Sequence, residues 1–186
     1  MNSQTAYPML SWNSMENINE SVIDKPILNW LLDDGSLTSK LIELSENQFG
    51  LELLDQTQRA PLDVEASVFD VKTIGNVIDR KVVLMGNTAP WVYAQSIIPL
   101  STAVGDLAIL KNLNKRSLGE FIFKNKAIKR RSLQIACLSA SEYGIPISLC
   151  GADRMLWGRR SLFTLNTNSL LVSEIFLPSL ILKINS

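Results

Sequence analysis

Two apolar runs, RKVVLMG and APWVYAQSIIPL, meet at Gly86-Asn87-Thr88-Ala89. Alternating residues on either side of such a turn are the pattern of an antiparallel hairpin, so the chain must build a sheet around it. LWGRRSLFTLNTNSLLVSEIFLP reads as a second hairpin, turning at Asn166-Thr167-Asn168. Two helices precede both. One begins near Pro26, runs through ILNWLL and stops at Asp33-Asp34-Gly35; Ser36 caps the next, in which Leu37, Leu41 and Leu44 recur at helical spacing. LELLDQTQRAPLDVEASVF reads as strand and loop and LGEFIFKN as a short helix, while IKRRSLQIACLSA is apolar and basic without a clear period. Helices followed by antiparallel pairs argue for an α+β fold: a single domain over 25–186, mainly an antiparallel sheet flanked by helices, behind a loosely ordered arm over 1–24.

Composition narrows the function classes. The 186 residues, 46% of them hydrophobic, can bury one full core, and 18 Lys and Arg balance 18 Asp and Glu. No apolar run reaches the roughly 18–20 residues that a membrane-spanning helix needs. There is no histidine, which removes Ser-His-Asp and Cys-His triads and histidine zinc sites. Cys137 and Cys150 suggest neither a disulfide framework nor a metal motif and suit a reducing compartment. The first basic residue is Lys25, and the stretch before it has neither a signal-peptide nor a transit-peptide pattern, so the protein is expected to stay where it is made. Abundant Asn, Ile, Lys and Ser suggest an AT-rich, organellar genome.

Charges that interrupt the apolar pattern mark the candidate site. In the last strand Glu174 shares a face with Val172 and Phe176, and in the first hairpin Arg80 shares one with Val82 and Leu84. In LWGRRSLF one of Arg159 and Arg160 must also face inward. The plain structural reading is an internal Arg-Glu ion pair; the functional one is a small polar pocket. Residues 111–131 hold eight Lys and Arg against Glu120 alone, which reads as a solvated face, a rim that attracts a small polyanion, or an RNA surface that lacks an aromatic stacking platform. Asp33-Asp34 reads as a helix terminus.

WLLDDGSLT, APWVYAQSIIPLST, SLGEFIF, LWGRRS and LLVSEIFLP follow one another as in the chorismate pyruvate-lyase family, which the chain resembles from about Lys25 to its C-terminus. Their wording is closer to the cyanobacterial and plastid branch. The resemblance implies a chorismate lyase-like fold and the conversion of chorismate to 4-hydroxybenzoate and pyruvate without metal or organic cofactor. It implies that Arg80 binds the ring carboxylate, aided by the backbone N–H groups of Leu37 and Leu118, and that Glu174 holds the ring hydroxyl. The proteobacterial lyases carry an arginine where this chain has Gln95, a substrate-binding candidate whose amide can donate hydrogen bonds but carries no charge, so the second carboxylate needs another cation, and Arg159 or Arg160 is the candidate. The stretch SASEYGIPISLCGADRM is longer than in the family and has no assigned role. The expected partner is chorismate, with no nucleic acid and no membrane; the expected protein is a monomer, in the plastid stroma if organelle-encoded and otherwise in the cytoplasm. The alternative is a non-catalytic small-molecule binding domain of the same fold, like the effector-sensing domains of some bacterial transcription regulators.

Overall fold

The computed structural model describes residues 12–14, 17, 19–69 and 75–186. They form a seven-stranded sheet of β1 (Asn13–Ser14), β2 (Phe49–Arg59), β3 (Val77–Gly86), β4 (Ala89–Pro99), β5 (Lys129–Ser139), β6 (Met155–Leu165) and β7 (Asn168–Phe176). Every pairing is antiparallel, and the order is β1-β5-β6-β7-β4-β3-β2. The helices are α1 (Lys25–Leu32), α2 (Leu37–Leu44), α3 (Asp63–Ala66), α4 (Leu118–Lys124), α5 (Ile147–Cys150) and α6 (Pro178–Ile184), with 3₁₀ segments at Glu20–Val22 and Gly105–Asn112. This is the expected single-domain α+β architecture. Much of the arm expected over 1–24 lies outside the described residues; its described part includes β1, which pairs with β5. Among the described residues no helix is long and apolar enough to cross a membrane.

Both hairpins turn where the sequence places them. Asn87 and Thr88 adopt φ of 50° and 67°, the left-handed pair whose twist matches the flanking strands. Gly86 must lack a side chain, because a Cβ there would overlap the Trp91 ring. Pairing of β4 with β7 joins the two hairpins into one sheet. The segment without a clear period is β5. The four-residue helices α3 and α5 are too short to show a period, and α6 begins where Pro178 occupies the first turn.

Successive side chains of a strand face opposite sides. One face, here called the helix face, is covered by α1, α2, α4, α6 and the Gly105–Asn112 turn. The other, the back face, is covered by the 139–155 stretch, whose Tyr143, Ile145, Leu149 and Cys150 pack on Val83, Tyr93 and Ile175. That packing gives the stretch a structural role that its sequence did not suggest.

Each face carries two apolar clusters. On the helix face, Leu31, Leu41, Val82, Ile135, Phe176 and Leu180 gather at one end, and Ile98, Leu107, Leu110, Leu118, Phe163 and Leu170 at the other. On the back face the corresponding clusters centre on Tyr93 and Ile175, and on Ile97 and Leu171. Between the ends a polar belt crosses the sheet on both sides, because the polar residues come as neighbours: Arg80-Lys81, Gln95-Ser96, Ser173-Glu174 and Arg159-Arg160-Ser161.

Candidate active site

On the helix face the register aligns Arg80, Ser96, Val172 and Ser161 across β3, β4, β7 and β6, and one step along it aligns Ala94, Glu174 and Arg159. The small side chains of Ala94, Ser96 and Ser161 form a low floor between longer charged groups. Arg80 is 1% exposed. Its Nη2 donates to the carbonyls of Asn114 at 2.8 Å and Arg116 at 3.1 Å, and its buried Nε has no partner among the described residues. Burial pushes the guanidinium down to about 10, because the charged form has lost its water. A buried cation held, among the described residues, by carbonyls alone is prepared for an anion.

The backbone brings further donors to the same place. Ser36 Oγ accepts from Ser39 N–H at the start of α2, and Ser117 Oγ accepts from Glu120 N–H at the start of α4. The two helix starts touch: Thr38 Oγ1 lies 2.9 Å from Ser117 Oγ. Gly119 permits the approach, since a Cβ there would stand 2.8 Å from Thr38 Oγ1. The first-turn amides of Leu37 and Leu118 have no acceptor within their helices and carry the positive end of the helix dipole. Arg80, bonded to the loop that leads into α4, adds its charge beside them.

Glu174 stands at the other end of the floor. Arg159 Nε donates to its Oε2 at 2.7 Å, while Arg159 Nη1 donates to the carbonyls of Trp30 at 3.1 Å and Asp33 at 2.6 Å. Arg159 thus aims the carboxylate and ties the end of α1 to the sheet. Two strand spacings of about 4.8 Å and a two-residue step of about 6.7 Å put the Cα atoms of Arg80 and Glu174 roughly 12 Å apart. Their side chains can reach opposite ends of a six-membered ring.

The register separates the other expected residues. Arg160 and Gln95 lie on the back face, one residue out of phase with Arg159 and Ser96. There Gln95 Nε2 donates to Asp79 Oδ1 at 2.9 Å, and Arg160 donates from Nε and Nη2 to Gln134 Oε1 at 3.0 and 2.7 Å. Neither lines the helix-face side of the belt, which holds Arg80 and Glu174, so the expectation of one shared pocket is corrected for both. Arg159 does face that belt, but its bonds are committed to Glu174 and to α1.

A cation outside the expected site residues also faces this belt. Arg130 is half-buried, its Nε is buried without a partner among the described residues, and its Nη1 donates to Asp33 O at 3.3 Å. Its guanidinium lies 5.7 Å from the Phe123 ring centroid and 5.3 Å from that of Phe163. Burial lowers its pKa, Arg159 lowers it further, and Glu174 acts in the opposite sense, so the three groups share one field. The signal was hidden by a bulge between Arg130 and Ser132. Strict alternation back from Ile135 would turn Arg131 inward; the bulge turns in Arg130 instead.

The cavity described next to this sheet, of about 370 Å³, opens on the back face and not over this belt. Within the basic stretch, Arg130 faces the belt and Lys124 pairs with Glu120 one helical turn away.

Fold and site together define a class: single-domain α+β proteins that bring helix starts down onto a buried, cation-rich strip of an antiparallel sheet. The chain belongs to the chorismate lyase family, whose model matches residues 9–185. It is 36% identical over 160 residues to a probable chorismate pyruvate-lyase of Pseudomonas aeruginosa, covering 86% of this chain and 88% of that one. A probable chorismate pyruvate-lyase of Psychromonas ingrahamii is 36% identical over 169 residues, 88% of each chain. Among solved structures, the effector domain of PhnF from Mycobacterium smegmatis shares the fold, with a TM-score of 0.54 at 17% identity over 80% of this chain and 91% of that one. The relatives are bacterial, and the expected cyanobacterial or plastid affiliation finds no support among them.

Proposed function

We propose that this chain is a chorismate pyruvate-lyase, splitting chorismate into 4-hydroxybenzoate and pyruvate. The observation that carries the reading is the opposition, across a floor of small residues, of an anion cradle (Arg80 with the starts of α2 and α4) and the Arg159-aimed carboxylate of Glu174. Chorismate has a ring carboxylate para to a hydroxyl, with the enolpyruvyl ether on the carbon between them and beside that hydroxyl. The ring carboxylate meets Arg80 and the amides of Leu37 and Leu118, and the 4-hydroxyl donates to Glu174 Oε1, the oxygen not bonded to Arg159.

The chemistry is driven by the substrate. The C3–O bond breaks, the hydrogen on C4 leaves, the ring becomes aromatic, and the departing three-carbon unit gains that hydrogen as pyruvate. The protein supplies position and electrostatics: it fixes the ring at both ends so that C4–H points toward the departing group, and it excludes water. Arg130 is assigned the second carboxylate, carried by the enolpyruvyl group. The protein acts in this reading as a monomer without a nucleic-acid partner.

Incubation of the purified protein with chorismate tests the reading, with pyruvate followed by a coupled assay and ring products by chromatography. Equimolar pyruvate and 4-hydroxybenzoate are expected; binding without product would leave a small-molecule binding domain of the same fold. The role of Arg130 has its own signature. Arg130→Gln should lower kcat/KM for chorismate by roughly 30-fold, about 2 kcal/mol, mostly through KM. Inhibition by 4-hydroxybenzoate, which lacks the second carboxylate, should stay within about a factor of two. An equal loss for both ligands would remove Arg130 from this role.

A further inference from the structure

The back face carries a polar rung that the lyase reading does not use. Lys81, Gln95, Ser173, Arg160 and Gln134 pair in register across five consecutive strands, β3, β4, β7, β6 and β5. A covered sheet face is ordinarily apolar, and the clusters at either end of this one are. Over the rung lies the cavity of about 370 Å³, with Trp12, Val64 and Tyr143 among its walls. That volume is at the small end of the range, about 300–1,000 Å³, in which ligand pockets fall.

The cavity lining carries three cations, Arg59, Lys81 and Arg160, and three carboxylates, Glu65, Asp79 and Glu142, but they do not pair off one to one. Arg59 takes both oxygens of Glu65, at 2.6 and 2.8 Å, and one of Asp79 at 2.9 Å. The other Asp79 oxygen accepts from Gln95, and Leu62 N–H also donates to Glu65. Both buried carboxylates are therefore satisfied. Arg160, 7% exposed, makes no ion pair among the described residues. Its partners are the amide oxygen of Gln134 and, at 3.5 Å, the carbonyl of Val64. Its guanidinium lies 4.9 Å from the Trp12 ring centroid, and Trp12 meets Tyr143 edge-on at 6.2 Å. Tyr143 and Ser173 of the rung line the same cavity. A buried cation without an ion pair among the described residues thus sits over the Trp12 ring near two hydroxyls, with Ile97 and Leu171 completing an apolar wall.

We propose that this cavity is a second ligand site, distinct from the one that holds Arg80 and Glu174, and that it takes a small aromatic monocarboxylate. The carboxylate meets Arg160 with the Tyr143 and Ser173 hydroxyls in reach, and the ring lies against Trp12, Ile97 and Leu171. Dianions are disfavoured, because Glu65, Asp79 and Glu142 already match the lining's three cations in number and Arg160 alone makes no ion pair among the described residues. The inference stands on the back-face geometry alone and does not depend on the lyase reading.

The probe is 4-fluorobenzoate, followed by ¹⁹F NMR on the Arg80→Gln variant, in which the helix-face site is disabled. One bound resonance is expected. Val64→Trp, at a wall residue that is 65% exposed, should fill the mouth and weaken that resonance about tenfold or more, and Arg160→Gln should do the same. Neutral 4-fluorobenzamide should not bind. Absence of a bound resonance in Arg80→Gln, a resonance that Val64→Trp leaves unchanged, or equal affinity for the amide would overturn the site. Should Arg160→Gln fail to fold, Val64→Trp and the amide decide. Turnover of chorismate is read separately, so failure of the lyase assignment and failure of this site give different results.

Discussion

Arg80→Gln should lower kcat/KM for chorismate roughly 10³-fold, about 4 kcal/mol, the scale on which truncating one partner of a buried charged pair costs binding. The effect is large because Arg80 is almost wholly enclosed and makes no ion pair among the described residues. A ligand carboxylate therefore satisfies a charge that folding has already stripped of water. The sign of the pH dependence follows. Burial lowers the guanidinium to about 10, so the empty folded protein binds fewer protons at this group than the unfolded chain between about pH 10 and the ordinary arginine value. Below that window the buried charge opposes folding, and within it the penalty is relieved as pH rises. Carboxylate binding needs the charged form, so affinity for 4-hydroxybenzoate should hold up to pH 9 and fall above about 10. Titration across that range in the wild type and in Arg80→Gln checks both statements; a variant that binds product normally would dismantle the cradle.

The largest effect on stability belongs to Arg159. Replacing it with methionine leaves Glu174 as a mostly buried carboxylate without its cation and strips two carbonyls, those of Trp30 and Asp33, of a donor. Breaking a buried ion pair from one side costs about 3–5 kcal/mol, which for a domain of this size is a fall in Tm of roughly 6–20 °C. Glu174→Gln in the same chain removes the stranded charge and should recover a good part of the loss, and the double-mutant cycle measures the coupling directly. Unaltered thermal unfolding of Arg159→Met would mean that the bond at 2.7 Å contributes little and that α1 is held by its apolar face alone. Activity should fall in every member of the cycle, since Glu174 loses either its aim or its charge.

The sequence carried the sheet more openly than the site. Hairpins announce themselves through local rules, a turn with positive φ and alternation on either side, and both turns were legible for that reason. Helices α1 and α2 were legible through Pro26 and Ser36, which act within one turn. Arg80 and Glu174 stood out as charges among apolar neighbours and do face the same belt. What stayed hidden depends on single-residue phase. Gln95 and Arg160 face away from that belt because each lies one position from a residue that faces it, and Arg130 faces inward because a bulge resets the alternation. The partner of Glu174 was ambiguous for a similar reason: in Arg159-Arg160 the pattern requires one inward arginine, and only the register with β7 says which. The 139–155 stretch was opaque because its function is to cover a face, and covering segments need only a few apolar residues at irregular spacing.

The polar belt between the apolar ends divides labour within the sheet. The end clusters supply most of the apolar cohesion that makes the chain fold, whereas waist residues outside the Arg159-Glu174 pair add little apolar burial and are correspondingly free to change. Such a strand position can exchange one polar side chain for another, on either side, without disturbing the layers that hold the strands in register. Such an architecture can drift from one small-molecule chemistry to another while its folding is left intact. The shared fold of a lyase family and the effector domain of PhnF is what a scaffold whose apolar cohesion lies at its two ends would be expected to produce.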